Sequence, residues 1–434
     1  MRGGYGINNT PPISNGFGFG GTLGYNGAIQ VNLNTRQVPF PEAPLGNISD
    51  RYPDFAGTLP NKLSTLANQQ GIDYYPRSGN RMPYVQNWNF GFQYQLPAKT
   101  VVEVNYVGNK GTRLIAYGFS QPNNVPFTAT QQYGDILPRA WSASSPIPAP
   151  YAGFSGTNLQ ALRPYAQFTG INDIFPNIGN SSYNSAQIQV TRHFTKGLAI
   201  LGAYTWSKAI GLTDNAIDSE GVADVFNRNL ERSITNYHYP HVAKLSWVYE
   251  LPIGANRLVK LNGIADKIIG GWQMTGIHGW RSGNPLSIST GGINLPTGNA
   301  VRPDLVAGVP IVLNADAPMV FRGAVGGTAY LNRLAFTNPP VFAGGQNVVQ
   351  RLGTVGPYLP NLRDRRLTTF DASIQKMFKF DEQRNIELRG TFLNAFNWAG
   401  VGGLNTNITS PFFGQYTGPQ LGPRNIEIAL RFTF

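Results

Sequence analysis

The chain has 434 residues, with 51 Gly, 32 Pro, 12% aromatic residues, only 13% charged residues and a formal net charge of +12. This excludes a disordered chain, which needs high charge and few aromatics. It also excludes a helical bundle, rich in Ala, Leu, Glu and Lys, and collagen, with Gly at every third position. Cysteine is absent, so disulfides, thiolate metal sites and Cys nucleophiles are excluded too.

The first residues, Met1-Arg2-Gly3-Gly4, lead into no apolar region of signal-peptide length. No run approaches the ~18 apolar residues of a membrane-spanning helix. Two readings remain, a soluble β protein and a membrane β-barrel. The stretch Arg2 to Ile7 has the look of a mid-barrel strand. Phe17, Phe19, Leu23 and Tyr25 alternate with Gly16, Gly18, Thr22 and Gly24, a further candidate strand.

From there period-two alternation dominates. Trp88, Phe90, Phe92, Tyr94 and Leu96 share one side; Asn89, Gly91, Gln93 and Gln95 share the other. After Pro97-Ala98-Lys99 the pattern returns with Val102, Val104 and Tyr106 against Glu103 and Asn105, a hairpin. Ala186, Ile188, Val190 and Phe194 oppose Gln187, Gln189, Thr191 and His193, and the turn Thr195-Lys196-Gly197 leads to a strand ending in Tyr204 and Trp206. Ala243, Leu245, Trp247, Tyr249 and Leu251 follow, against Lys244, Ser246 and Glu250. A strand from Trp272 to Trp280 is expected to extend through Leu286 and Ile288. Phe370, Ala372, Ile374 and Phe378 oppose Asp371, Ser373 and Gln375; then come Ile386, Leu388, Phe392 and Phe396. The chain closes on Ile426, Ile428, Leu430, Phe432 and Phe434. That makes nine strands, or ten with the stretch at 17–25.

Connections near 98, 196 and 383 are short, whereas 109–182, 208–240, 291–366 and 399–424 are long and rich in Gly, Asn and Pro. The 252–270 connection is intermediate and breaks the regularity. Tight turns at one end and long loops at the other are the habit of outer-membrane barrels. Soluble domains rarely carry such long connections without structure of their own. Trp88, Trp206, Trp280 and Trp398 are expected at strand ends beside long loops. Trp247 and Trp272 are expected toward the short turns. Amphipathic rings favour both headgroup levels. A final strand ending in Phe432 and Phe434 fits the signal that a barrel presents to the assembly machinery. The expected fold is therefore all-β: an antiparallel transmembrane β-barrel, with short periplasmic turns and long extracellular loops. Residues 1–80 would supply partial strands and loop, and residues 81–434 the main barrel strands.

The stretches Phe370–Lys376, Arg389–Asn397, Ile408–Gly414 and Pro423–Phe434 resemble the end of the Oar-like, TonB-dependent receptor barrels of soil bacteria. So do Arg81–Asn89, Tyr106–Thr112, Tyr204–Lys208, Tyr249–Pro252 and Gly270–Gln273. The resemblance implies an outer-membrane receptor for an extracellular ligand. Its partners would be membrane lipid, the barrel-assembly machinery and the TonB energy-coupling complex. It also implies a signal peptide, a carboxypeptidase-regulatory-like sandwich and a plug ahead of the barrel. None of these is visible here, so the expectation is the C-terminal part of a larger receptor. A structural or adhesion barrel and a small passive porin are the alternatives.

On the polar side of the strands, Glu103, Gln187, Lys244, Glu250, Asp371, Glu387, Arg389 and Glu427 are the candidates to line a lumen. No catalytic constellation, cofactor site or metal site is expected. Gly16-Phe17-Gly18-Phe19-Gly20-Gly21 matches a dinucleotide fingerprint only in letters, because no helix opens after it. His193 and His278 stand alone, and His238 and His241 lack the companions of a zinc site. Asp214, Asp218, Glu220 and Asp224 do not match a calcium loop. Basic residues are scattered singly, the nearest to a cluster being Arg363-Asp364-Arg365-Arg366. The aromatics alternate onto the opposite side, so no nucleic-acid groove is expected.

Overall fold

The computed structural model describes residues 1–9, 70–74, 81–116, 118–173, 176–212, 221–255, 257–320, 328–381 and 383–434. Ten strands form one antiparallel sheet in chain order: β1 (Arg2–Asn9), β2 (Tyr84–Leu96), β3 (Thr100–Ile115), β4 (Asn177–Thr195), β5 (Leu198–Gly211), β6 (His241–Glu250), β7 (Trp272–Arg281), β8 (Leu367–Lys379), β9 (Asn385–Leu393) and β10 (Asn425–Thr433). The two-residue strand Ser233–Ile234 pairs with β5. Among the described residues β1 and β10 are each paired on one edge only. No helix among the described residues is long and apolar enough to cross a membrane, which bears only on helical spans.

Nine strands coincide with the alternating stretches, and the tenth described strand is Arg2–Asn9. The candidate strand at 17–25 lies outside the described residues. One expectation is corrected. β7 stops at Arg281, and Leu286 and Ile288 are buried in the loop region. Two short alternating residues look the same whether they extend a strand or fill a core.

Tight turns are built from backbone that twists with the strands. Ala98 and Lys99 both adopt positive φ, as do Lys196 and Gly197. In the β8–β9 turn Asp381 replaces backbone partners: its Oδ1 accepts from the N–H groups of Gln383 (3.0 Å) and Arg384 (2.7 Å). The guanidinium and these amides hold its carboxyl below the usual carboxylate range.

The core is in an unusual place. Among the described residues no large apolar side chain of the strands' hydrophobic face is fully buried; Leu137, Ile147, Ile288, Leu331, Phe336, Leu362, Ile408 and Tyr416 are, and every one lies in a long connection. The largest cluster joins Leu286, Ile288 and Leu331 to Phe336, Leu362, Ile408 and Phe413. A second joins Ala116 and Phe119 to Leu212, Val222 and Val225. Lipid can cover a strand's apolar face, whereas a loop in water gains by burying much of its own apolar surface. The loops therefore fold into a cap. Arg139 donates to the Gly344 carbonyl (2.9 Å), and Arg363 donates to the His238 carbonyl (2.8 Å). Tyr416 donates to Asp364 Oδ1 (2.9 Å).

Candidate functional site

Directly opposed residues in an antiparallel ladder point to the same side of the sheet. Phe90 opposes Tyr106, Tyr106 opposes Ala186, and Ala186 opposes Trp206. Leu245 opposes His278, His278 opposes Phe370, and Leu388 opposes Leu430. One side is thus apolar across the whole sheet, with Phe90, Tyr106, Trp206, Leu245 and Leu430 exposed. In an open aqueous setting such a patch is unfavourable; it fits lipid.

The same registers put all eight polar candidates on the opposite side. Glu103 pairs with Arg2 of β1 and accepts from Asn105 Nδ2 (2.7 Å). Gln187 donates to Ser185 Oγ (3.2 Å). Lys244 stands opposite Ala203 and Gly279. Asp371 Oδ1 accepts from the Asn394 N–H (2.8 Å), closing the start of a loop. Glu427 stands opposite Thr391 near the long-loop end.

Three candidates come together at the short-turn end. Glu250, Glu387 and Arg389 line a cavity of about 360 Å³, with Arg257, Gln273 and Gln375. Glu250 pairs with Arg257 at 2.5 Å, and Glu387 with Arg389 at 2.6 Å. Gln375 donates to Gln273, the two standing opposite each other on β7 and β8. Such a surface offers donors and acceptors of both signs to a polar solute. The other five candidates are dispersed over the sheet. Arg2, Gln273 and Gln375 escaped sequence reasoning as site residues, although their alternation parity marks them. Arg257 carries no such parity, because it sits in a connection.

A second polar cavity, about 420 Å³, opens in the cap and is lined by Glu231, Asn236, Ser287, Ser289, Arg302 and Tyr358 among others. Glu231 and Arg302 form a buried ion pair whose side chains are 4% and 11% exposed. Glu231 also accepts from the Ala223 N–H (2.8 Å), and Arg302 donates to the Gly221 carbonyl (3.1 Å). Each charge thus has further partners, the condition for holding an ion pair away from water. Nothing in the local sequence marked this pair, because its halves lie in two different loops.

The aromatics occupy several levels. Trp272 begins β7 at the short-turn end, and its Nε1 donates to the Ile268 carbonyl (3.1 Å). Trp247 lies over Gly276. At the other end His241 accepts from or donates to the Tyr204 hydroxyl (2.7 Å) and neighbours Trp280. Phe370, Phe396 and Trp398 continue this ring, with centroids 4.8 and 5.0 Å apart. Trp88 and Trp206 sit inside β2 and β5 rather than at their ends. These strands, at 13 and 14 residues, exceed the ~9–11 that a bilayer requires, so they continue past the aromatic level toward the cap. Phe432 and Phe434 stack at 5.8 Å at the short-turn end.

His238 is buried beneath the cap, its Nδ1 accepting from the Ala209 N–H (3.4 Å), while His241 faces the apolar side with Tyr204. The two serve different environments. Among the described residues no three His, Asp or Glu side chains gather as a metal site. Asp214, Asp218 and Glu220 lie outside the described residues, and Asp224 accepts from the Phe226 N–H (2.9 Å).

No curated protein matches the chain. Among solved structures, it is similar to the outer membrane transporter YddB from Escherichia coli, at 11% identity and TM-score 0.42, over 84% of this chain and 34% of that one. It is similar to the ferripyoverdine receptor of the outer membrane of Pseudomonas aeruginosa at 8% identity and TM-score 0.34, over 81% and 27%. The P. putida toluene transporter TodX shares 8% identity at TM-score 0.22, over 80% and 59%. The chain thus spans about a third or less of the length of the first two. The family model described as outer membrane beta barrel domain matches residues 1–427. With the alternating sheet and its lipid-compatible face, that match establishes that the chain belongs to the outer membrane beta barrel domain family and resides in the bacterial outer membrane.

Proposed function

We propose that this chain forms wall and cap of an outer-membrane receptor-transporter of the TonB-dependent, Oar-like kind. In this reading the short turns face the periplasm and the cap faces the outside. The observation that carries the proposal is the pairing of two polar cavities with one sheet. The cap cavity around Glu231 and Arg302 stands at the long-loop end, and the cavity around Glu250, Glu387 and Arg389 at the short-turn end. A solute captured by the first would pass along the polar side, where Gln187, Lys244, Asp371 and Glu427 also project. Glu103 would stabilise the wall through Arg2. The interlocked loops support capture by a preformed surface, which lowers the entropy lost on binding.

The test is uptake in cells carrying or lacking this gene, each with and without functional TonB, using ferric siderophores, oligosaccharides and peptides as the panel. The proposal expects one class to lose uptake equally on deleting either partner. Uptake that persists without TonB, or passive sugar flux through the chain in liposomes, would replace it with the porin reading. Unchanged uptake of every class together with lost cell adhesion would replace it with the adhesion reading.

A further inference from the structure

Three of the short-end connections are minimal: 97–99, 196–197 and 380–384. The fourth, 251–271 between β6 and β7, is not. It folds back on itself, with the Gly254 N–H donating to the Val259 carbonyl (2.9 Å) and the Val259 N–H to the Pro252 carbonyl (2.8 Å). It then forms the short helix α1 (Ile264–Ile269). This is a built element, yet it buries almost none of its apolar side chains. Leu258 is 88% exposed, Ile264 76%, Ile268 60% and Ile269 50%. The cap also leaves leucines exposed, Leu334 at 76% and Leu313 at 60%, but they are scattered over its connections, whereas here four such side chains gather on one short connection beside the sheet, a concentration that points to a surrounding other than water.

The position says which. Trp272 lies on the apolar side of the sheet, and its indole is bonded to the Ile268 carbonyl. Lys376 shares that side, directly opposite Trp272, and folds its ammonium down to the Gly270 carbonyl, over the Phe378 ring. The helix therefore continues the lipid-facing surface at its lower rim. Its charges are also one-sided. Lys260 and Lys267 are exposed, whereas the carboxylate of Asp266 is engaged by the Ala255 N–H (2.8 Å). Arg257 is paired with Glu250. Apolar side chains flanked by free lysines at a bilayer rim match a leaflet with acidic headgroups.

We propose that the 251–271 connection is a membrane foot. Ile264, Ile268 and Ile269 enter the acyl region beside the sheet, and Lys260 and Lys267 meet the phosphates of an anionic phospholipid. A second copy of the chain is a poorer occupant, since it would set lysines against lysines. The foot also gives this one connection a reason to be long.

The absence of Cys makes the test direct. The full chain is folded into phosphatidylcholine vesicles with and without phosphatidylglycerol, carrying one nitroxide at Ile268→Cys, Leu245→Cys or Ala98→Cys. Collision with oxygen reports lipid, and collision with a nickel chelate reports water. The expected result is oxygen access at I268C close to that at L245C and several-fold above that at A98C. Phosphatidylglycerol should raise it further, and Lys260→Gln with Lys267→Gln should abolish that rise. A water-like signal at I268C, or one shielded from both probes as by protein, overturns the proposal while L245C still reports lipid. An I268C signal indifferent to phosphatidylglycerol and to the glutamine pair overturns the headgroup assignment. A water-like L245C would instead count against the barrel placement itself.

Discussion

The indole of Trp88 lies across Gly108, its cross-strand partner, so closely that a Cβ there would meet the ring at 2.2 Å. Trp247 covers Gly276 in the same way, at 2.5 Å. In each pair a large ring on one strand fills the place that the neighbouring strand leaves empty, and the ring covers backbone that would otherwise face lipid.

Gly108→Ala should therefore push Trp88 off its seat. Overpacking of this kind costs roughly 1–3 kcal/mol. Urea unfolding of the vesicle-folded chain, followed by tryptophan emission, should show a lower midpoint. Gly6→Ala, a strand glycine with nothing within 4 Å of the added carbon, is the control and should leave it unchanged.

In the cap, Glu231→Gln should be costly, because it leaves Arg302 buried without its counter-charge. Breaking one side of such a pair typically costs about 3–5 kcal/mol. The expected outcome is faster proteolytic cleavage of the connections at 212–240 and 282–366, with the strands still protected. A double change of both residues to similarly sized apolar ones should be milder than the single change.

His238 gives the cap a pH dependence. Burial, and then the nearby cations Arg363 and Lys208, lower its pKa from the ordinary 6.5 to about 4. Nδ1 must also stay unprotonated to accept from Ala209. Between these two values the unfolded chain binds a proton that the folded cap does not, so stability rises with pH there. The contribution is complete above about pH 6.5, falls as the pH drops toward about 4, and levels off below it. Thermal unfolding of the cap, followed by protease sensitivity, should show this loss in the native chain and a flatter profile in His238→Asn.

The sheet was legible in the sequence because alternation is a local signal. Residues such as Phe90 and Gln93 reveal their side of the sheet within one strand, and the register then joins the sides across neighbours. The cap was not legible, because its core residues are assembled from distant segments. Phe336 touches Phe413, and Glu231 meets Arg302 across two connections. No period links them. The polar candidates show the same division. Glu250 and Arg389 share one side of the sheet by their place in the alternation, but their gathering with Arg257 depends on how one connection folds back.

Lys376 illustrates a pattern that parity misreads. It occupies an apolar-side position among Trp272 and Leu388, yet its ammonium reaches the Gly270 carbonyl at the rim. Lys376→Met should keep the strand and lose a charge-assisted bond, a change of roughly 1.5–3 kcal/mol. Trypsin should then cleave faster at Lys267, with the β8 strand still protected.

The account rests most on the two chemically distinct sides of the sheet, and β4 tests them within three residues. Gln187→Cys, Ile188→Cys and Gln189→Cys are to be labelled in intact outer membranes with a membrane-impermeant maleimide. The account predicts labelling at 187 and 189, and at 188 only after detergent removes the lipid. Equal labelling at all three positions, or labelling at 188 alone, would contradict it.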